Sequence, residues 1–263
     1  MKNICVFLIP LILSCFLINH LFSSENDEVS FTILYDNYVV NENVKADWGF
    51  SCLIKGTEKT ILFDTGTQSE ILFHNINQLN VDIKEVECIV ISHDHGDHTG
   101  GLFPVLKKNN KVSVYLPASF YSKYVKKIEN MEAQAVSIED PVEICKDVYI
   151  TGEMGSMIKE QSLILNTDKG LVIVTGCSHQ GIVNILNKAK EMFDKKIYLV
   201  FGGFHLLRTP KDQVREIIKT FRDIGVCKVG ATHCTGDAQI EMFKKEYGED
   251  FMKMGVGKVI TIK

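Results

Sequence analysis

Apolar and polar positions alternate along residues 30–263 with two different periods, and together they predict a mixture of strands and helices. Short apolar runs bounded by turn residues predict strands at 30–35, 50–55, 60–63, 86–91, 112–116, 147–151, 161–166, 171–175, 197–201, 227–231 and 258–262. Apolar residues at helical spacing predict helices at 69–79, 102–108, 118–130, 181–193, 211–223 and 238–247.

The order of these elements indicates the fold class. Strand hairpins come first, strands and helices mix afterwards, and the pattern roughly repeats after residue 145. Two mixed halves of similar size predict two sheets packed face to face with helices outside, in one α/β (α+β) domain over residues 30–263. Of the 263 residues, 45% are hydrophobic and 24% are charged, which is enough apolar material for a sizeable core.

The N-terminus differs from the rest of the chain. One lysine precedes an almost uninterrupted apolar run over residues 4–22, and two serines follow it. We therefore expect residues 1–24 to be a signal peptide or an N-terminal membrane anchor, with attachment through residues 4–22. Either would make the protein exported or membrane-anchored and place its body outside the cytoplasm. A lipoprotein modified at Cys15 and a buried N-terminal helix are the alternatives.

The net charge limits the classes of binding partner, and the cysteine pattern indicates the state of the thiols. The formal net charge is −4 and no basic stripe is present, so electrostatics offers no case for nucleic-acid binding. A small-molecule substrate is the expected partner. Six of the eight cysteines lie outside the apolar N-terminus, without a CxxC pair, and Cys52, Cys88 and Cys227 fall in strand-like runs. Buried free thiols are therefore expected, although export would allow some of them to pair.

Residues 89–101 carry the strongest functional signal in the chain. An apolar run ends in three histidines and two aspartates, and paired glycines follow. The polar residues are His93, Asp94, His95, Asp97 and His98. Side chains of a strand alternate faces, so His93 and His95 should project the same way, and a turn at Gly96 brings the next two back toward them. Imidazole and carboxylate bind Zn, Fe and Mn, so a metal site is expected rather than a polar surface loop.

Three later histidines also follow apolar strands. His179, His205 and His233 each emerge where a core strand reaches the surface, and sites gather at such strand ends in layered α/β proteins. We expect His179 and His233 to complete the metal ligands, while His205 is either a further ligand or a structural residue. His74, on a predicted helix, and His20 are taken as structural.

Other residues could assist this chemistry or compete with it. Asp97 would bind metal and orient a hydroxide, and Asp64 either supports a ligand histidine or simply belongs to a tight turn. A Cys177–His179 nucleophilic pair is disfavoured, because residues two apart in a strand do not readily face each other. The chain around Ser178 lacks the spacing of a nucleophile elbow, and Gly202-Gly203 lacks a full phosphate-loop pattern.

The motif His93-Asp94-His95-Gly96-Asp97-His98 resembles the HxHxDH motif of the metallo-β-lactamase-fold superfamily. Three later segments resemble the branch named for an archaeal dihydropterin ribofuranosyl-aminobenzene phosphate synthase. These segments are Thr175-Gly176-Cys177-Ser178-His179, Gly202-Gly203-Phe204-His205-Leu206 and Thr232-His233-Cys234-Thr235-Gly236. The resemblance implies a four-layer αββα sandwich with a two-metal site at one edge of the sheets. It assigns His93, His95 and His179 to the first metal, and Asp97, His98 and His233 to the second.

The chain departs from this superfamily pattern at one position. Many members end a late strand in an aspartate that bridges the two metals, whereas the comparable strand here ends in Thr175-Gly176-Cys177. Either Cys177 takes the place of that carboxylate or the bridge is absent.

These observations predict a metal-dependent hydrolase with two divalent ions. Zinc is the preferred ion, and iron and manganese are the alternatives. A metal-activated hydroxide would attack an ester, amide, thioester or phosphoester, with Asp97 and His205 as candidate catalytic residues. The alternatives are the transfer reaction of the synthase branch and a redox or non-catalytic scaffold on the same fold. We expect the loops at 37–48 and 132–142 to line the substrate pocket.

Overall fold

The computed structural model describes residues 28–263, and all structural statements below concern that part of the chain. Its strands are β1 (Val29–Tyr35), β2 (Ser51–Lys55), β3 (Ile61–Phe63), β4 (Cys88–Val90), β5 (Ser113–Pro117), β6 (Gln134–Ile138), β7 (Val142–Cys145), β8 (Val148–Ile150), β9 (Leu163–Thr167), β10 (Gly170–Thr175), β11 (Ile197–Gly203), β12 (Lys228–Thr232) and β13 (Val259–Ile262). Its α-helices are α1 (Ser69–Gln78), α2 (Gly96–Thr99), α3 (Leu102–Lys108), α4 (Ser122–Glu129), α5 (Ile182–Met192), α6 (Lys211–Ile224) and α7 (Asp237–Tyr247).

The strands form two sheets. The first has the order β13-β1-β2-β3-β4-β5-β6 and the second has the order β12-β11-β10-β9-β8-β7. Strands β3 to β6 pair in parallel in the first sheet, and β10 to β12 pair in parallel in the second. Because the carboxyl ends of parallel strands meet at one edge, residues far apart in sequence are brought together there.

Three separate apolar clusters show that the molecule has four layers. One cluster combines inward-facing residues of both sheets, such as Phe31 and Phe63 from the first and Val172 and Phe201 from the second. A second cluster joins the outer face of the first sheet to α1, α3 and α4, and a third joins the outer face of the second sheet to α5, α6 and α7. The predicted αββα sandwich is therefore confirmed.

Helix α6 illustrates how the sequence sets an element. Val214, Ile218 and Phe221 recur at helical spacing and are buried against the second sheet. The helix begins directly after Pro210, whose ring lacks the N–H that a helix start leaves unpaired in any case. It ends at Gly225, which takes the left-handed conformation (φ 85°) that glycine adopts at little cost.

The last strand belongs to the second half of the sequence but lies in the first sheet. β13 pairs antiparallel with β1 in the first sheet, with Ile260 opposite Phe31. Its burial alternates, so that Ile260 and Ile262 enter the core between the sheets while Val259 stays exposed. The end of the chain thus closes the edge of the first sheet that β1 would otherwise present to solvent.

The prediction that residues 132–142 form a pocket loop was wrong. Its central residues, Gln134–Ile138, are β6, an edge strand paired in parallel with β5, and Val142 begins β7 in the other sheet. The polar residues that looked like a loop are the exposed positions of an edge strand, because only one neighbouring strand and one face cover it.

The prediction of a signal peptide or membrane anchor falls on residues outside the described part of the chain. Among the described residues, none of the helices has the length and apolar character needed to cross a bilayer.

Candidate metal centre

The histidine motif begins where a parallel strand of the first sheet ends. β4 stops at Val90, and the chain bends at Asp94 and is extended at His95 (φ −74°, ψ 145°) before the short helix α2 begins at Gly96. The backbone N–H of His98 donates to the carbonyl of His95 at 3.0 Å, which closes this turn. His93 and His95 therefore approach from the segment between β4 and α2, whereas Asp97 and His98 approach from a helical turn.

The second sheet supplies the later histidines from the carboxyl ends of neighbouring parallel strands. His179 follows β10, His205 follows β11 and His233 follows β12. His205 and His233 both have positive φ, of 52° and 50°, as do Ser178 (68°) and Asp64 (57°). Left-handed backbone is uncommon for residues other than glycine and clusters at functional sites, where the surrounding structure holds it.

His93, His95 and His179 form the first group of donor atoms. One ring nitrogen of each lies within 4.8 Å of the others, and His93 Nε2 is 3.1 Å from His95 Nδ1. The Nε2 atom of His179 is buried and has no hydrogen-bond partner. Three converging imidazole nitrogens, one of them unpaired, fit a divalent cation such as zinc.

Asp97, His98, Cys177 and His233 form the second group, again with donor atoms within 4.8 Å of one another. Asp97 Oδ2 lies 3.6 Å from His98 Nε2 and 3.4 Å from His233 Nε2. The Cys177 sulfur lies 3.3 Å and 3.4 Å from the same two nitrogens. Cys177 thus faces the second group, and it is not among the donors of the first group.

A buried carboxylate orients two of these histidines from behind. Asp64 Oδ2 accepts a hydrogen bond from His98 Nδ1 at 2.6 Å and another from the Ser92 hydroxyl at 2.7 Å. The Ser92 hydroxyl is also 2.9 Å from His93 Nδ1. Gly176 leaves room for this contact, since a Cβ there would lie 2.1 Å from the Ser92 oxygen. Of the two alternatives for Asp64, this geometry favours support of a ligand histidine over a turn alone.

A second buried carboxylate fixes the loop that carries His179. Glu160 is fully buried and accepts backbone hydrogen bonds from Cys177 (2.8 Å), Ser178 (2.9 Å) and His179 (2.7 Å). Three N–H donors satisfy most of the acceptor capacity of the carboxylate. The left-handed backbone at Ser178 is held by these bonds.

The loop over residues 37–48 closes the other side of the second group. His233 Nδ1 lies 3.0 Å from the Asn37 side-chain oxygen, and Trp48 Nε1 donates to Asp97 Oδ2 at 2.8 Å. The rings of Trp48 and His233 are 5.0 Å apart. The loop therefore contacts the second group of donor atoms, while the expectation that it lines the substrate pocket stays a prediction.

The ionisable groups respond strongly to this environment. Burial and the neighbouring histidines hold the pKa of His93 well below its usual range, and burial with His205 lowers the pKa of His179 to about 3. Burial opposes the positive charge of His98, but the Asp64 carboxylate outweighs it and raises the pKa of His98 to about 9. Burial likewise opposes ionisation of Asp97, yet contacts with His233 and His98 hold its pKa well below the usual range.

An open cleft of about 720 Å³ lies beside the first group. His179 and His205 form one wall of the cleft, and their rings are 4.2 Å apart. The segment Met154 to Ile158 and the side chain of Gln180 form much of the remainder. The structure thus assigns part of the pocket wall to Met154–Ile158 instead of the 132–142 segment.

The structure brings all six predicted ligand residues into two adjacent groups and places His205 at the cleft, outside both groups. His74 lies on α1 with its Nε2 3.2 Å from the Asn43 carbonyl, as expected for a structural residue. Sequence reasoning missed Ser92, Glu160 and Cys234. A charged residue directly before the apolar strand at 161–166 was the available signal for Glu160, whereas the other two carry none.

The six cysteines of the described region are all free, and Cys227 is only half-buried, in contrast to the expected burial.

Comparison with known proteins places this arrangement in a family. Residues 49–182 match the sequence model of the Metallo-beta-lactamase superfamily. The chain is 32% identical to the 7,8-dihydropterin-6-methyl-4-(beta-D-ribofuranosyl)-aminobenzene-5'-phosphate synthase of Methanocaldococcus jannaschii, in an alignment that covers 89% of this chain and 97% of that protein.

Two solved structures share the fold. Tm1679, described as a metal-dependent hydrolase of the beta-lactamase superfamily, is 28% identical with a TM-score of 0.72, covering 89% of this chain and 99% of the other. The metallo-beta-lactamase fold protein YhfI from Bacillus subtilis superposes with a TM-score of 0.64 at 13% identity, covering 88% of this chain and 99% of the other. The chain belongs to the metallo-beta-lactamase superfamily.

Proposed function

We propose that the protein is a metal-dependent hydrolase of small molecules that works with two divalent ions, preferably zinc. The observation that carries this proposal is the pair of adjacent donor groups at the edge of one open cleft. The similarity to Tm1679, described as a metal-dependent hydrolase, supports it. The expected reaction is cleavage of an ester, amide, thioester or phosphoester bond.

The residues divide between the two ions according to their grouping. His93, His95 and His179 would hold one ion, and Asp97, His98 and His233 would hold the other, with the Cys177 sulfur as a fourth donor to the latter. Bound divalent ions would acidify water and polarise the bond to be cleaved.

Two side chains are suited to handle protons. Asp97 is an ionised carboxylate whose Oδ2 is held by the Trp48 indole N–H, so its remaining lone pairs can orient the attacking water. His205 is exposed on the cleft wall beside His179, where its ring can donate a proton to a leaving group. These are the roles that we assign to the two candidate catalytic residues.

The cleft lining favours uncharged substrates. Met154, Met157 and Ile158 give it an apolar side, and Gln180 adds an amide. None of the residues that line the cleft is a lysine or arginine, the side chains that most often recognise phosphate. Esters, thioesters and amides with an apolar group are therefore preferred over phosphoesters.

The reaction of the synthase relative is the second candidate, because 32% identity extends over nearly the whole of that protein. The phosphate in the name of that synthase would call for a cationic contact, which the cleft lining described above does not supply. A redox or non-catalytic role is the third candidate, and it would be indicated by iron or by the lack of any bound metal.

Metal analysis and a substrate panel test the proposal. We expect two equivalents of zinc per chain and turnover of at least one p-nitrophenyl ester, thioester or anilide. His95→Ala should abolish that turnover, whereas His74→Ala, which alters a histidine outside the site, should retain the parent rate. A zinc-loaded parent that hydrolyses nothing on the panel, or a His95→Ala variant as fast as the parent, would contradict the proposal.

The location of the protein is a separate proposal. A signal peptide or anchor in residues 1–24 would place the domain outside the cytoplasm. Fractionation of cells that express the full chain, followed by N-terminal sequencing of the mature protein, tests this expectation. Recovery of the intact chain in the cytoplasmic fraction would contradict it.

A further inference from the structure

Cys177, His205 and Cys234 form a third group of donor atoms beside the two already described. Their two sulfur atoms and one ring nitrogen of His205 all lie within 4.8 Å of one another. The two cysteines are almost fully buried, at 3% and 4% exposure, while His205 is exposed at the cleft. Cys234 has no part in the proposed hydrolysis, so that reaction does not explain why these three donor atoms converge.

The fold assembles the group from three neighbouring strand ends. Cys177 follows β10, His205 follows β11 and Cys234 follows β12, and these strands pair in parallel. Gly203 makes the sulfur position accessible, because a Cβ at this residue would lie 2.7 Å from Cys234 Sγ. A larger residue at the end of β11 would push the Cys234 sulfur out of the group.

Hydrogen bonds orient the Cys234 sulfur. The backbone N–H of His205 donates to Cys234 Sγ at 3.3 Å, and the same sulfur is 3.5 Å from the Cys177 carbonyl oxygen. Two buried sulfurs and one imidazole that lines the cleft match a metal site of three protein ligands with one open position.

We propose that Cys177, His205 and Cys234 form a third metal site that binds a soft divalent ion such as Zn²⁺ or Cd²⁺. Soft thiolate ligands select zinc and cadmium over the hard ions magnesium and manganese. The site shares Cys177 with the second donor group, because the Cys177 sulfur also lies 3.3 Å from His98 Nε2. A thiolate has enough lone pairs to bind two ions, so the third site can fill while the second is occupied.

An ion at this site has a consequence for activity, and this part of the inference rests on the proposed function. Binding the metal takes up the His205 ring nitrogen that would otherwise transfer a proton at the cleft. Excess zinc or cadmium therefore inhibits hydrolysis, and the inhibition requires Cys234.

Cadmium binding tests the site without reference to activity. The full chain is titrated with CdCl₂, bound cadmium is counted after equilibrium dialysis, and thiolate-to-cadmium absorption is followed in the near ultraviolet. We expect three equivalents in the parent and two in Cys234→Ser, with loss of the absorption that accompanies the third. Cys227→Ser is the matched control, since its half-buried thiol bonds to the Gly225 carbonyl away from the site, and it should behave like the parent.

A second variant protects the test against a folding defect in Cys234→Ser. His205→Asn changes an exposed residue and introduces a side chain that tolerates the left-handed backbone at this position. It should weaken the third equivalent at least tenfold and leave the first two unchanged. Only two equivalents in the parent, or an unchanged third equivalent in both variants, would overturn the proposal.

Inhibition is measured separately on whichever panel ester the zinc-loaded protein hydrolyses. Tenfold excess zinc should slow the parent severalfold and leave Cys234→Ser unaffected, and equal inhibition of the two would overturn the inhibitory role. If no ester is hydrolysed, the proposed function fails, while the cadmium count still decides whether the third site exists.

Discussion

The Asp64 carboxylate accepts a hydrogen bond from His98 Nδ1 at 2.6 Å, and both side chains are completely buried. This bond leaves His98 Nε2 as the atom that faces Asp97 and Cys177. Asp64 also binds the backbone and hydroxyl of Ser92, each at 2.7 Å, so one carboxylate orients residues on both sides of the motif. It occupies the position from which a metal-binding histidine is usually held.

We expect Asp64→Asn to weaken metal binding at the second group. The amide keeps the shape of the carboxylate but replaces one acceptor oxygen with a donor, and loss of such a partner typically lowers metal affinity by about 10- to 100-fold. Competition with a chromophoric chelator measures this affinity. Asp94→Asn, in the same motif but outside the three donor groups, is the matched control and should bind metal like the parent. Equal affinity in the two variants would remove the role assigned to Asp64.

Glu160→Gln tests the loop that presents His179. The amide nitrogen of glutamine repels at least one of the three backbone N–H groups that now donate to the carboxylate. An unsatisfied buried donor costs about 1–3 kcal/mol, so the free energy of unfolding should fall by that amount. Urea unfolding of the metal-free protein provides the measurement. Glu153→Gln, which alters a carboxylate bonded to a single backbone N–H, is expected to cost less. A smaller loss in Glu160→Gln than in this control would refute the assignment.

Trp48 should report on metal binding through its fluorescence. It is the only tryptophan in the chain, its indole donates to Asp97, and its ring is 5.0 Å from that of His233. Occupation of the second group changes the charge beside the indole, and we expect a change in tryptophan emission during zinc titration. His98→Ala should remove the phase that belongs to the second ion, whereas His74→Ala should keep it. An emission spectrum that is insensitive to zinc would contradict the placement of Trp48.

The buried Asp36 should make stability depend on pH. Burial raises its pKa from the ordinary 3.8 to about 6, although hydrogen bonds from Thr232 oppose the rise. The folded state therefore holds this proton to higher pH than the unfolded chain does. The resulting stabilisation is present below about pH 4 and is lost as pH rises through about 6, a change of about 3 kcal/mol.

Asp36→Asn cannot ionise and should lack this contribution. Urea unfolding at several pH values between 4 and 7 would show the parent losing stability relative to the variant as pH increases. The difference between the two proteins isolates Asp36 from the titrating histidines. A parent and variant with parallel pH profiles would show that Asp36 has an ordinary pKa.

Much of the fold followed from local patterns. Every α-helix except α2 and most strands were predicted within a few residues, because apolar spacing directly reflects which face of each element is buried. β6 and β7 were missed, since both are edge strands and an edge strand with polar exposed positions resembles a loop. β13 was recognised as a strand, but its partner β1 lies more than two hundred residues away and no local signal specifies that pairing.

The sequence by itself determined the family motif, the layered architecture and the six expected ligand residues, because these depend on residue type, spacing and strand ends. Only the tertiary structure decided how they are supported. Asp64, Glu160 and Cys234 act through contacts with residues 17 to 57 positions away, and such contacts exist only once parallel strands meet at one edge. The structure also decided the position of Cys177, whose sulfur lies beside His98 and His233. Sequence spacing does not indicate which way a side chain points once its strand has ended.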